Sequence, residues 1–123
     1  MVPGTSYGMQ QTVQIFGVRN SQETRAAERF FKERGFQIHF VDLAQKPMSP
    51  AEIKRFVDRF GLTGLLDTGG NAYETAGLKY LKLSDAELLA RIAGQPKLLH
   101  LPLVRCGHRL SIGRDEKSWA EMV

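Results

Sequence analysis

Apolar and polar residues alternate from Thr12 to Phe16, and three of the five are β-branched, which predicts a strand. Gly17 to Asn20 breaks the alternation as a loop. From Ser21 to Arg34, Ala26, Ala27, Phe30 and Phe31 recur at helical spacing, and Gly35 stands where a helix C-terminal glycine belongs. Phe36 to Val41 alternates again, so the chain opens as β-α-β. Ser49-Pro-Ala-Glu52 is a capping box with proline at the first helical position, predicting a helix to Phe60 that Gly61 stops. Residues 62–80 have no clear period; they carry turn signals at Asp67-Thr-Gly-Gly-Asn71 and a short apolar segment around Leu78 to Leu81. Ser84 and Glu87 form a second capping box, followed by the apolar face Leu88, Leu89, Ile92 and Ala93, with Gly94 as the end. Leu98 to Cys106 reads as a strand with Pro102 near its start, where a missing N–H is tolerated. Gly107-His108 is a turn and Arg109 to Ile112 a return strand. Trp119 and Met122 mark a short helix within residues 117–123. Residues 1–9 carry turn formers without periodicity and are expected to be a disordered leader, with Met9 as a second candidate start.

The crossover makes the first two strands parallel, and the closing hairpin makes the last two antiparallel. A β-α-β unit followed by β-β-α is the order of a thioredoxin-like α/β fold, here with a helical insertion at about residues 47–97. The chain has 123 residues, a length for one domain. Its 42% apolar and 24% charged residues exclude a collagenous, low-complexity or wholly disordered chain. No apolar run approaches the ~20 residues of a membrane span, and no secretory signal is visible. Seventeen basic against 13 acidic residues give a net charge of +4. That leaves nucleic acid and small anions open as partners, but the charges are scattered. Lys54, Arg55 and Arg59 alternate with Asp58, as on a solvated helix face, so direct nucleic-acid binding is not expected. Cys106 is the sole cysteine, so no intramolecular disulfide forms and no zinc spacing exists; a reducing cytoplasm is the default compartment.

Several short motifs in order point to a family. Ile15-Phe-Gly-Val-Arg-Asn-Ser21 with Arg25-Ala-Ala27, then Lys46-Pro-Met-Ser-Pro-Ala-Glu52, begin the series. Leu66-Asp-Thr-Gly69, Tyr73-Glu-Thr-Ala-Gly-Leu78, Pro96-Lys-Leu-Leu99, Leu101-Pro-Leu-Val104 and Gly113-Arg114 continue it. Together they resemble the arsenate reductase (ArsC/Spx) family over about residues 10–115. The resemblance implies a cis proline at Pro102, a nucleophilic cysteine at the start of the first helix, and arginines that hold the oxyanion.

The departures from that pattern bear on chemistry. Ser21 occupies the cysteine position. A helix N-terminus stabilises a thiolate there, but a serine hydroxyl has no accessible redox couple. Gly69 and Leu101 stand where the resemblance implies arginines, and only Arg114 keeps a counterpart. Bidentate guanidinium contacts are the strong oxyanion contacts, so most of the clamp is missing. Cys106 lies four residues past Pro102, roughly 13 Å along a strand, too far to replace the nucleophile. Ser21 is the natural N-cap of the first helix. Asn20, Ser21 and the amides of that turn remain a ligand-binding candidate, with Arg19 and Arg25 flanking them and Leu101 making the proline loop apolar. His39 and His108 have no partner at ligand spacing, and strand alternation would turn His100 away from the face of Leu101.

Two readings follow. In the first, the chain has lost redox catalysis and acts as a binding or regulatory protein. The resemblance to the Spx branch then implies the C-terminal domain of the RNA polymerase α-subunit as a partner. In the second, it is a glutathione-dependent reductase or thiol transferase. Glutathione is then a cosubstrate that supplies the sulfur, oriented by Ser21 and Arg114. Neither reading needs a metal or a bound cofactor.

Overall fold

The computed structural model describes residues 12–123, so the leader expected over residues 1–9 lies outside them. Strand β1 (Thr12–Gly17) pairs in parallel with β2 (Gln37–Asp42) across helix α1 (Gln22–Glu33). Strand β3 (Leu103–Cys106) runs antiparallel to β1 and to β4 (Arg109–Ile112), giving the sheet order β2-β1-β3-β4. Between β2 and β3 lie helices α2 (Pro50–Phe60), α3 (Asn71–Thr75) and α4 (Asp85–Gly94), with three 3-10 turns, at Thr63–Leu65, Leu78–Tyr80 and Pro96–Leu98. Helix α5 (Glu116–Met122) closes the chain. This is the mixed thioredoxin-like sheet with the helical insertion expected from the order of elements.

Side chains alternate across the sheet, as the strand period requires. Val13 and Ile15 of β1 and Val104 of β3 pack with Phe31 of α1 and Trp119 of α5. Phe16 and Leu103 point the other way, into a core with Phe56 of α2 and Ile92 of α4. The sheet is therefore covered on both faces: by α1 and α5 on one, by the insertion on the other. Gly17 lets α1 approach β1. A Cβ there would lie 2.7 Å from Thr24 Cγ2, a clash in a buried contact.

Both capping boxes form. Ser49 Oγ accepts from the Glu52 amide at 3.2 Å, and the Glu52 carboxylate accepts from the Ser49 amide at 3.0 Å. Replacing Ser49 by alanine should therefore cost about 1 kcal/mol, read as a lower urea midpoint at unchanged slope. At the second box, the Ser84 backbone N–H and then its hydroxyl hold the Glu87 carboxyl below its ordinary range. The ionised carboxylate thus favours the fold above its unfolded pKa. That contribution is lost as pH falls through the folded pKa.

Three local expectations need correction. The strand read over 98–106 begins only at Leu103. Leu98 closes a 3-10 turn, and Leu99 makes an isolated antiparallel bridge with Leu66. These apolar residues face the insertion core rather than a sheet ladder. Residues 71–75, expected to be turn and irregular chain, form a one-turn helix whose cap, Gly70, offers no side chain. Gly94 is the last residue of α4 rather than its terminator, with Gln95 as the cap.

Candidate functional site

Ser21 is the N-cap of α1. Its amide donates to Val18 O at 3.1 Å, and its Oγ accepts from the Thr24 amide at 3.2 Å. The hydroxyl is thus already engaged in starting the helix. Opposite it, the peptide bond between Leu101 and Pro102 is cis, as the resemblance implied. Pro102 is buried, and Leu101 is 9% exposed. The Gly113 amide donates to His100 O at 2.9 Å and Pro102 O at 3.0 Å, fastening the end of β4 to this loop.

Two further bonds sew the insertion to the same loop. The Asp67 amide donates to Leu98 O, and the His100 amide to Leu65 O, both at 2.8 Å. A cleft of about 570 Å³ opens between these segments. Asn20, Ser21 and Glu23 line it from the α1 side, and Lys97, His100 and Leu101 from the proline loop. Asp67 and Arg114 complete the charged wall.

The structure gathers some of the expected residues and not others. Asn20, Ser21, Leu101 and Arg114 meet in the cleft, with Pro102 beneath. Arg19 does not line it. Its guanidinium lies 4.6 Å from the centroid of the Phe40 ring and its Nε 3.9 Å from the Asp42 carboxylate, over the edge strand. Arg25 is exposed on α1 and is also absent from the lining. Arg114 donates from Nε to Glu116 at 2.8 Å. Gly69 is not among the lining residues, and a Cβ built there would meet nothing within 4 Å.

His100, expected on the face opposite Leu101, lines the cleft beside it. Strand alternation does not apply, because residues 99–102 are not in a ladder and the Leu101 amide turns back to Leu99 O. His100 Nε2 lies 3.9 Å from Asp67 Oδ1. Sequence reasoning missed Asp67 and Lys97 as well. Each stands inside a segment that carries the family resemblance, Leu66-Asp-Thr-Gly69 and Pro96-Lys-Leu-Leu99, but nothing in those segments marked its side chain for the cleft; the insertion brings it there.

Cys106 sits at the far end of β3, paired with Arg109 and packed against the apolar cluster beneath α1 and α5. Burial pushes its thiol pKa up, against a smaller opposing effect of Arg109. Neither position nor ionisation suits a nucleophile for the cleft. Among the described residues no group of three or more His, Cys, Asp or Glu could hold a metal ion, and no helix is long and apolar enough to cross a membrane.

A mixed sheet covered on both faces, with a cleft between a helix N-terminus and a cis-proline loop, defines a thioredoxin-like protein. The ArsC family model matches residues 16–122, and the chain belongs to the ArsC family. It is 28% identical over 101 residues to the uncharacterized protein YusI of Bacillus subtilis (strain 168), covering 79% of this chain and 86% of that one. An arsenate reductase from Vibrio cholerae superposes with a TM-score of 0.76 at 24% identity, over 93% of this chain and 99% of that one. An arsenate reductase (ArsC) related protein from Brucella melitensis superposes with a TM-score of 0.64 at 17% identity, over 98% and 97%. At these identities the two structures establish the fold.

Proposed function

We propose that this chain is a cytoplasmic, non-reducing member of the ArsC family that acts by binding rather than by thiol chemistry. The observation that carries this reading is the placement of the sulfur. The α1 N-terminus presents the Ser21 hydroxyl to the cleft, while Cys106 is partly buried at the far end of β3. The charge around the cleft supports it. Glu23, Asp67 and the Glu116 bound to Arg114 outnumber Lys97 and Arg114, which is unfavourable for a divalent oxyanion. The test is a coupled arsenate-reduction assay with glutathione and glutaredoxin, on the parent and on Cys106→Ser. Background rates in both are expected; activity lost only in the variant would place Cys106 in the chemistry.

One observation favours the second reading, a glutathione-dependent transferase. The cleft has room for a short peptide and carries both signs of charge beside a hydroxyl that can hydrogen-bond a thiolate. Equal activity in the parent and in Cys106→Ser would select it. For the binding reading, the C-terminal domain of the RNA polymerase α-subunit is the partner we propose. Support comes from the exposed charges of α2, where Arg55 and Arg59 flank the Lys54–Asp58 pair at 2.7 Å. A pull-down that recovers no polymerase subunit, where an Spx-branch protein does, would remove that partner.

A further inference from the structure

Away from the cleft, the insertion carries an apolar hole and an apolar knob. The hole is a pocket of about 270 Å³ between the start of α2 and the C-terminal half of α4. Met48, Pro50 and Ile53 line it from one side and Leu89, Ala90 and Ala93 from the other, and no polar or charged residue lines it. An apolar cavity of about 150 Å³ holds a benzene ring, so this one has room for a phenol side chain. The knob is Tyr80, in the 3-10 turn that residues 81–84 join to the start of α4. Tyr80 is 83% exposed and Leu81 beside it 44%. Among the described residues, the only other large apolar residue so exposed is Val123, at the chain end. Burying an aromatic side chain removes roughly 150–250 Å² from water, and Tyr80 contributes almost none of that to this fold.

We propose that a second copy of this chain covers the pocket, in a two-fold dimer in which Tyr80 of each protomer enters the pocket of the other. Knob and hole lie toward opposite ends of one helix. Tyr80 leads into the N-terminus of α4, whereas Ala90 and Ala93 belong to its C-terminal half. Two α4 helices packed antiparallel about a two-fold axis therefore bring each knob to the partner's hole, across the ~15 Å of a 10-residue helix. The flank of α4 that borders the pocket permits this approach. Leu88 and Ile92 pack into the core, whereas Ala86, Ala90 and Ala93, at i, i+4 and i+7, are exposed. Their short side chains let the two axes come to the near end of the usual spacing of about 8–10 Å.

The chemistry of the helix ends is complementary in the same arrangement. Lys79 and Lys82 flank the knob and arrive with it at the partner's α4 C-terminus, the end of the helix dipole that favours cations. The last carbonyls of a helix have no intrahelical donors, and Ala93, in the last turn of α4, borders the pocket. The Tyr80 O–H donates to that turn, so its burial leaves no unpaired hydroxyl. Neither Tyr80, Ala90 nor Ala93 lines the cleft beside Ser21, so the dimer goes beyond the binding reading of that cleft and does not depend on it.

The experiment is sedimentation equilibrium of the full chain from about 5 to about 500 μM. The mean mass should climb from 13.8 kDa toward twice that value. Tyr80→Ser and, on the other side of the contact, Ala90→Glu should each weaken association at least about tenfold, the scale of a central aromatic anchor. At dilution both variants should melt within about 2 °C of the parent, because both positions are exposed. An equimolar mixture of the two should associate more tightly than either alone, since it restores one intact knob-and-hole contact. A parent that stays monomeric throughout would overturn the proposal. So would a Tyr80→Ser variant that dimerises like the parent, or a mixture no tighter than its components. A monomeric parent in which benzyl alcohol shifts the amides of residues 89–93 would instead give the pocket to a small apolar ligand.

Discussion

A Ser21→Cys variant should be alkylated by iodoacetamide near neutral pH about 10- to 100-fold faster at position 21 than at Cys106. Two local environments set the ratio. Position 21 caps a 12-residue helix, with the amides of the first turn and the positive end of the macrodipole directed at the side chain. Thiols so placed ionise well below the ordinary cysteine range. Glu23 in the same turn opposes this and moves the ratio toward the lower end. Cys106 is shifted the other way, because burial disfavours its thiolate. Its labelling should therefore accelerate as pH rises above neutrality, while that at position 21 is already near its plateau. Peptide mapping of a timed reaction reads both sites in one sample. Faster labelling of Cys106 than of position 21 would contradict the helix-cap geometry. The variant also keeps the remaining chemistry in view: a reactive thiol alone leaves position 69 as glycine and position 101 as leucine, so arsenate turnover should stay near background.

The second large effect concerns the fold. Trp119→Ala should destabilise the protein by about 3–5 kcal/mol, the usual cost of truncating a large buried aromatic residue. Trp119 is 1% exposed, and its ring centroid lies 5.5 Å from that of Phe30 and 6.3 Å from that of Phe31. It is the main side chain by which the seven-residue α5 holds onto α1. So large a loss is a substantial share of the roughly 5–15 kcal/mol that stabilises a domain, and should lower the melting temperature by more than about 10 °C. Trp119→Phe should cost much less. It keeps an aromatic ring in the cluster, and the indole N–H it removes has no hydrogen-bond partner. Equal losses in both variants would mean that the ring cluster is not what secures α5.

The parts of this protein that could be read from residues alone are those governed by local chemistry. Ser21, Ser49 and Ser84 announce helix starts through their own side chains, and all three cap as expected. Gly35 and Gly61 adopt positive φ just beyond the helices they end. Alternation placed β1, β2 and β4 within a residue or so. The failures arise where a residue's role is set by distant chain. Leu98 and Leu99 are as apolar as a strand, but their partners are in the insertion, so composition alone could not separate ladder from core. His100 was misdirected by extending the strand period through them. The cleft shows the same divide. Ser21 and Pro102 were found because the resemblance marks each position as part of the site, whereas Asp67 and Lys97, though inside motifs, reach the cleft only because the bonds between residues 65–67 and 98–100 bring their segments together. Arg19 shows the opposite error, since nearness in sequence to Ser21 did not carry its side chain into the site.

A non-reducing member of the ArsC family should perform no thiol redox chemistry in its cleft. The most direct measurement is the rate of arsenate reduction by the purified parent, with glutathione and glutaredoxin, beside an ArsC-family reductase that carries a cysteine at the start of its first helix. The parent rate should lie at the background of the coupling system and stay unchanged in Cys106→Ser. A parent rate comparable to that of the cysteine-bearing reductase would contradict it.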